Sequence, residues 1–190
     1  MKFGILALQG DFALHQKALQ RLGVETLLVR KPEHLFGLMG LIMPGGESTT
    51  FVKLLKEIAL FDAIRDFARE RAVFGTCAGL ITLARKIVNH PLETLNLIDI
   101  VVQRNAYGRQ IDSFVDAVRV NINHSGTFEG VFIRAPKIVE IGEGVRAVGF
   151  HGEDVVMAEN DHILVATFHP ELTSDLRIHE YFIEKARRFK

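Results

Sequence analysis

The sequence has 190 residues, 48% of them hydrophobic and 24% charged, which predicts one domain spanning residues 1–190 with a substantial core. Lysine plus arginine and aspartate plus glutamate number 23 each, so the charge balance excludes the basic surface typical of proteins that bind nucleic acid or anionic membranes. The single cysteine excludes an internal disulfide, no apolar stretch is long enough for a bilayer, and the first residues resemble a strand rather than a signal peptide, so we expect a cytoplasmic protein.

The first half of the chain alternates strand-like and helix-like segments. Hydrophobic patterning predicts strands at residues 3–8, 24–29, 41–43 and 72–74, and helices at residues 12–22, 48–58 and 61–71. Ser48 is the expected cap of the second helix. This alternation predicts an α/β fold with a doubly wound, mostly parallel sheet flanked by helices. In such sheets the active site lies at the carboxyl ends of the strands.

The second half has shorter strand-like segments separated by turns. They lie at residues 101–102, 114–122, 131–133, 145–150, 155–158 and 163–168. We expect them to form an antiparallel or mixed insertion before the chain rejoins the main sheet. A last helix, at residues 174–189, is expected to cover one face of that sheet.

Cys77 lies where the fourth predicted strand turns into a helix-like run at residues 80–84. Gly75 and Gly79 stand two residues away on either side, and small neighbours are what a sharp strand-to-helix turn needs. The following helix would direct its N-terminal amides at the sulfur and favour the thiolate. A buried, unreactive cysteine is the alternative. The glycine pattern favours a nucleophile.

His169 and Glu171 follow the last predicted strand, in the order His-Pro-Glu. The histidine could accept the thiol proton, and the carboxylate two residues later could orient the imidazole and stabilise its charged form. Pro170 disfavours a helical conformation at His169 and stiffens this strand end. His-Pro-Glu alone would be weak support, but together with the cysteine turn it predicts a catalytic triad of Cys77, His169 and Glu171.

The loop after the third strand contains Gly45 and Gly46. A tetrahedral intermediate formed by Cys77 would need amide donors for its oxyanion, and the candidates are the backbone amides of Gly46 and Ala78. A glycine turn followed by a helix cap explains the same loop residues, and both interpretations can hold together.

The eight histidines are scattered, without the close spacing typical of metal sites, so we expect no metal ion and interpret most histidines as surface or packing residues. Nucleotide-binding glycine motifs are absent, and no cofactor is expected.

Six segments together resemble a known protein family: residues 8–11, 44–50, 75–80, 104–110, 131–136 and 168–172. They are similar to the class I glutamine amidotransferases, and among these to the glutaminase subunits of pyridoxal 5'-phosphate synthases. Arg-Asn-x-x-Gly-Arg-Gln and Phe-Ile-Arg-Ala-Pro are the most particular of the motifs. Ile81 stands where amidotransferases joined to several other synthases carry glutamine, which favours this family.

The resemblance implies hydrolysis of L-glutamine through a Cys77 thioester, with His169 as base and then acid and Glu171 as the orienting carboxylate. It implies that substrate is held by Gly46, Glu47, Ser48, Arg104, Ile133 and Arg134, whereas Arg109 is interpreted as structural. We expect this chain to contain no synthase domain, so the ammonia would pass to a separate synthase subunit. Docking of that subunit is expected to order the loop near Gln9 and Gly46.

Two other interpretations stay open at this point. The chain could be a cysteine-elbow hydrolase or stress protein of the related doubly wound type, although such proteins do not usually combine the elbow with His-Pro-Glu and substrate arginines. It could also be a non-catalytic regulatory subunit, although the intact triad argues against this.

Overall fold

The computed structural model describes residues 1–106 and 113–189. The α-helices in these ranges are α1 (Phe12–Arg21), α2 (Ser48–Glu57), α3 (Leu60–Phe67), α4 (Ala78–Leu83) and α5 (Arg177–Arg187). The strands are β1 (Lys2–Leu6), β2 (Glu25–Val29), β3 (Gly40–Met43), β4 (Ala72–Thr76), β5 (Ala84–Ile87), β6 (Ile98–Gln103), β7 (Ser113–Val120), β8 (Gly126–Ile133), β9 (Lys137–Ile141), β10 (Arg146–His151), β11 (Asp154–Glu159) and β12 (Ile163–Ala166). Short 3-10 helices lie at Pro32–Leu35 and Pro170–Leu172.

The main sheet is parallel on one side and antiparallel on the other. Its strand order is β2-β1-β3-β4-β12-β11-β10-β7-β8. The first five strands in this order run parallel, and the remaining four pair antiparallel. The predicted α/β fold with an antiparallel insertion is therefore confirmed, and β12 rejoins the parallel part beside β4.

Two hydrophobic layers enclose this sheet because successive strand side chains point to opposite faces. In β4, Val73 packs in the layer that contains α2, α3 and α4, whereas Phe74 packs in the layer that contains α1 and α5. Both faces of β4 are buried, so the strand is a continuous apolar run. Because β4 is buried on both faces, the residue that follows it, Cys77, is held in a fixed position.

A second, three-stranded sheet of order β5-β6-β9 was not predicted. The helix predicted to continue through Ala84 ends at Leu83, because Ala84 is extended and pairs with Ile98 of β6. Strand β9 is only partly buried, so its sequence lacks the apolar pattern that would predict it.

The capping of α2 differs from the prediction. Glu47, not Ser48, is the N-cap, and its carboxylate accepts hydrogen bonds from the backbone amides of Thr49 at 3.0 Å and Thr50 at 2.7 Å. Ser48 is the first helical residue, because the longer glutamate side chain reaches both free amides. None of the helices in the described ranges combines the length and apolar character needed to cross a bilayer.

Candidate active site

Cys77 occupies a strained turn between β4 and α4. Its backbone has φ 48° and ψ −103°, in a region that L-residues seldom adopt. A Cβ on Gly75 would lie 2.7 Å from the backbone carbon of Gly79, and a Cβ on Gly79 would overlap the carbonyl oxygen of Met43. The two glycines are therefore required for the close packing that supports this turn, as their spacing predicts.

Strand pairing brings the His-Pro-Glu segment beside the cysteine. The Cys77 amide donates to the carbonyl of Ala166 at 3.0 Å, which joins the end of β4 to the end of β12. The amide of His169, three residues further on, donates to Val131 in β8 at 2.8 Å. Residues 77 and 169 are distant in sequence and become neighbours because β4 and β12 are adjacent parallel strands.

His169 and Glu171 form a buried ion pair. The imidazole Nδ1 of His169 donates to Glu171 Oε1 at 2.7 Å, and Pro170 starts the 3-10 helix that carries Glu171. Burial raises the pKa of Glu171, but its interactions with His15 and His169 outweigh burial and lower that pKa to about 2. Glu171 is therefore a carboxylate throughout the neutral pH range.

The Nε2 side of His169 faces Cys77. Burial lowers the pKa of His169, but interactions with Cys77 and Glu171 are stronger and raise it to about 10. Nε2 is buried without a well-aligned hydrogen-bond partner, and the Cys77 sulfur lies 4.0 Å from the carbonyl oxygen of Ile133. Such loose geometry is common in catalytic pairs before substrate binds. The arrangement can form a thiolate beside an imidazolium.

A cavity of about 420 Å³ opens over this pair. Its walls come from the loops that follow β1, β3, β4, β6, β8 and β12, at the carboxyl edge of the parallel strands. The lining residues are Gly10, Asp11, Gly45, Gly46, Glu47, Ser48, Cys77, Ile81, Arg104, Asn105, Ile133, Arg134 and His169. Thus the predicted substrate-binding residues share one cavity with Cys77 and His169, whereas Glu171 lies buried behind His169.

Arg104 and Glu47, both predicted to hold substrate, already contact each other. Arg104 Nη2 lies 3.0 Å from Glu47 Oε1, and Nη1 donates to Thr49 Oγ1 at 3.2 Å. Burial raises the pKa of Glu47, but the amides of Thr49 and Thr50 lower it to about 2. The charge of Arg104 is therefore largely balanced by a permanent carboxylate.

Ser48 and Arg134 differ from that pair because their polar groups are not engaged. The Ser48 hydroxyl is buried and has no hydrogen-bond partner, and no ion pair involves Arg134 within the described residues. Arg134 also has a left-handed backbone, with φ 41°, directly after Ile133. Both side chains are available to a polar ligand in the cavity.

The glycine loop lies against the side chains of Cys77 and His169. A Cβ on Gly45 would stand 2.6 Å from His169 Cε1 and 3.4 Å from Cys77 Cβ. Gly46 has φ 141°, which favours glycine, and Gln9 reaches across it to donate from Nε2 to the Glu47 carbonyl at 2.8 Å. The oxyanion role of Gly46 and Ala78 stays a prediction.

Gly10→Ala tests how far catalysis depends on this loop. Gly10 has φ +75°, and a Cβ there would overlap the carbonyl oxygen of Gly45. Gly144 has almost the same φ, +73°, with nothing within 4 Å. Backbone strain is thus matched, and we expect kcat for the substrate that the resemblance implies to fall about 10- to 100-fold in Gly10→Ala, against less than about twofold in Gly144→Ala. Equal activities of the two variants would show that the loop position is unimportant.

Two fully buried histidines behind Glu171 were missed in the sequence, where most histidines were interpreted as surface or packing residues. His15 Nε2 lies 3.3 Å from Glu171 Oε2, and His15 Nδ1 lies 3.0 Å from His179 Nε2. The signal available was their place on the apolar faces of α1 and α5, beside Leu19 and Phe182. Histidine at such positions needs a polar partner.

Protonation of His179 is expected to destabilise the fold in acid. Burial, and next the interaction with the neighbouring His15, lower the pKa of His179 from 6.5 to about 3, and Glu171 acts in the opposite sense. The unfolded chain therefore binds a proton that the folded chain excludes, so the contribution of neutral His179 to stability is present above pH 6.5 and is lost as pH falls towards 3.

In denaturant titrations between pH 7.5 and 5, wild type should lose about 1.4 kcal/mol per pH unit below 6.5 relative to His179→Phe. The exposed His124 provides the control, because His124→Phe should leave the pH dependence of wild type unchanged. Parallel pH profiles for wild type and His179→Phe would contradict the prediction.

One group of potential metal ligands occurs among the described residues. Ligand atoms of Asp11, His169 and Glu171 lie within 4.8 Å of one another. The hydrogen bond between His169 and Glu171 accounts for the proximity of those two residues, and the third, Asp11, is exposed. Residues 107–112, which contain Arg109 and the end of its predicted motif, lie outside the described residues.

Comparisons with known proteins identify the family to which this chain belongs. The model of the SNO glutamine amidotransferase family matches residues 5–188. The protein named pyridoxal 5'-phosphate synthase subunit PdxT of Dictyoglomus turgidum is 53% identical over 187 residues, covering 97% of this chain and 98% of the relative. That of Thermosipho africanus is 46% identical over 189 residues, covering 99% and 100%.

Solved structures of related fold superpose on this chain. A crystal structure described as glutamine amidotransferase superposes with a TM-score of 0.92 at 48% identity, covering 97% of this chain and 98% of the other. The structure of PurLQS from Thermotoga maritima has a TM-score of 0.68 at 15% identity, covering 98% of this chain and 95% of the other, and shares the fold.

Proposed function

The chain belongs to the SNO glutamine amidotransferase family, and on that premise we propose that it is the glutaminase subunit of a pyridoxal 5'-phosphate synthase. It hydrolyses L-glutamine to L-glutamate and ammonia. Relatives that carry the subunit name match nearly the whole chain at 46% and 53% identity. Family membership favours this function over a stress protein, an unrelated elbow hydrolase or a non-catalytic regulatory subunit.

The observation that carries the proposal is the meeting of Cys77 with the buried His169–Glu171 pair at one cavity. A cysteine attacks an amide carbonyl as a thiolate, so a base must first take the proton of the thiol. An acid must then protonate the nitrogen that leaves. His169 faces Cys77 through one ring nitrogen and Glu171 through the other, so it can serve both steps without changing its orientation.

The proposed reaction begins with attack of the Cys77 thiolate on the side-chain carbonyl carbon of glutamine. The backbone amides of Gly46 and Ala78 would stabilise the resulting oxyanion. The His169 imidazolium gives its proton to the amide nitrogen, the C–N bond breaks, and ammonia leaves a thioester on Cys77. Water, deprotonated by His169, then attacks the thioester, releasing glutamate and restoring the thiolate–imidazolium pair.

Binding of the amino-acid end of glutamine is proposed at the polar residues that line the same cavity. Arg134 has no carboxylate partner among the described residues, so it is the group best suited to the substrate α-carboxylate. Arg104 is paired with Glu47 and would share its charge between that residue and the substrate. Ser48 offers an unpartnered hydroxyl, and Ile133 contributes its backbone next to the Cys77 sulfur.

Ammonia must reach a second protein, and the partner proposed here is the synthase subunit, in a hetero-oligomer. The relatives are named as subunits, which supports such an assembly. We propose that docking orders the loop around Gln9 and Gly46, because the Gln9 hydrogen bond to Glu47 is exposed and spans the glycine loop. Residues 1–190 would act as one amidotransferase domain, and the free Cys77 thiol suits a reducing compartment such as the cytoplasm.

The proposed function is tested by incubating the protein with glutamine, with and without its synthase subunit, and measuring ammonia and glutamate. We expect stoichiometric release of both, faster in the complex. Absence of ammonia in the complex would refute the glutaminase, whereas equal rates with and without the synthase subunit would refute only the coupling. Glutamate trapped on Cys77 by acid quench, detected by mass spectrometry, would identify the thioester.

A further inference from the structure

The two buried histidines extend the candidate triad beyond Glu171. We propose that His15 is a positioning residue for the glutamine-hydrolysing triad: its neutral imidazole donates from Nε2 to Glu171 Oε2, and His179 fixes that tautomer by donating to His15 Nδ1. The inference rests on the proposed function, since it concerns the same reaction centre. It adds two residues, from α1 and α5, that none of the sequence motifs includes.

Only one of the two carboxylate oxygens of Glu171, Oε2, can accept a hydrogen bond from His15. Oε1 accepts from His169 at 2.7 Å, while Oε2 is buried and receives no other side-chain hydrogen bond within the described ranges. His15 Nε2 lies 3.3 Å from Oε2 without an aligned hydrogen bond to it, and it is hydrogen-bonded at 3.3 Å to the hydroxyl oxygen of Thr76. A buried carboxylate oxygen without a donor is costly, so the proton of His15 belongs on Nε2.

The tautomers of the two histidines follow from this placement. If His15 carries its proton on Nε2, its Nδ1 is an acceptor, and the atom 3.0 Å away, His179 Nε2, must be the donor. His179 Nδ1 is then an unprotonated nitrogen, and it is the ring nitrogen found buried without a partner. This tautomer leaves only a nitrogen lone pair without a partner. The reverse tautomer would leave a buried N–H without an acceptor, which costs more.

The surroundings keep both rings neutral. Both are fully buried, their centroids are 5.2 Å apart, and each packs edge-on against Phe74 at 6.3 Å. The ionisable groups that act on His15 are Glu171 and Asp11, which favour its charged form, and His169, which opposes it. Burial outweighs them and lowers the pKa of His15.

This arrangement has a mechanistic consequence. Glu171 is held between a neutral donor on Oε2 and the His169 imidazole on Oε1, so it cannot rotate away from His169. A fixed carboxylate keeps the His169 proton on Nδ1 and leaves Nε2 free for Cys77. Loss of the donor would raise the pKa of Glu171 and loosen its orientation.

The test compares His15→Leu with His15→Gln in the complex with the synthase subunit. Glutamine can place its amide N–H where His15 Nε2 lies, whereas leucine cannot donate. We expect kcat to fall about 10- to 100-fold in His15→Leu with KM for glutamine within about twofold, and the acid limb of the pH profile to move up by about one unit. His15→Gln should stay within about fivefold of wild type and keep the wild-type profile.

Several results would overturn the inference. Wild-type kcat in His15→Leu, or equal losses in both variants with an unchanged pH profile, would assign His15 to packing alone. Should His15→Leu fail to fold, two-dimensional ¹⁵N NMR of the histidines in wild type decides, since a charged or Nδ1-protonated His15 at neutral pH contradicts the proposal. Wild-type protein that releases no ammonia would instead refute the glutaminase, whatever the His15 tautomer.

Discussion

Replacing Cys77 by alanine is expected to abolish glutamine hydrolysis, lowering kcat by about 10⁴- to 10⁶-fold in the complex with the synthase subunit. The physical reason is the loss of the atom that would form the thioester, while the cavity and the His169–Glu171 pair are left in place. Hydrogen bonds and donors around the cavity can still polarise a bound amide, so a small residual rate above that of water is consistent with the proposal.

Two measurements distinguish a loss of catalytic activity in Cys77→Ala from a failure of the variant to fold. Because Cys77 is the only cysteine, iodoacetamide should label wild type at a single site and leave Cys77→Ala unlabelled. Cys77→Ser keeps a side chain of similar size at this left-handed position and should fold and bind the synthase subunit normally. Glutamine hydrolysis by Cys77→Ala at more than about one per cent of the wild-type rate would contradict a thioester mechanism.

Replacing Glu171 by glutamine is expected to reduce kcat by about 10³- to 10⁴-fold with little change in KM. The amide has no charge to stabilise the His169 imidazolium, and its N–H₂ group can face Nδ1 and favour the wrong tautomer. Because interactions with Cys77 and Glu171 hold the pKa of His169 at about 10 against the effect of burial, that pKa should fall in the variant.

The pH dependence of Cys77 alkylation reports this change directly. In wild type the imidazolium beside the thiolate is expected to persist as the pH rises towards 10, and in Glu171→Gln it should be lost at a lower pH. Glu143→Gln is a matched control, since Glu143 is exposed and does not line the cavity. An unchanged alkylation profile in Glu171→Gln would mean that this carboxylate does not control the charge of His169.

Local sequence patterns were sufficient to predict the parallel half of the fold and to propose the candidate triad. Apolar runs between helix signals marked β1, β3, β4 and β12, since strands buried on both faces have continuous hydrophobic sequence. The turn at Cys77 is encoded by its own neighbours, Gly75 and Gly79. Once β4 and β12 pair, the convergence of Cys77 and His169 follows from parallel topology.

Local patterns failed where pairing or capping depends on distant residues. The half-exposed strand β9 has no continuous apolar run, and it forms only because β6 offers an antiparallel partner. Ser48 was the expected helix cap from residue type, but Glu47 reaches the free amides and pairs in addition with Arg104, 57 residues away. Because of that pairing, we propose that Arg134, which has no ion-pair partner among the described residues, binds the substrate carboxylate.

The fold class, the amidotransferase resemblance and the candidate triad of Cys77, His169 and Glu171 could be predicted from the sequence alone, because strand periodicity and tight-turn glycines are local properties. The residues that lie behind Glu171 could not be predicted in this way, because they are brought there by the packing of two helices. His15 and His179 are 164 residues apart, and each lies on the apolar face of its own helix, with no sequence signal of the other. Their contact with the triad exists because α1 and α5 pack on the same face of the sheet, where a buried carboxylate needs a donor.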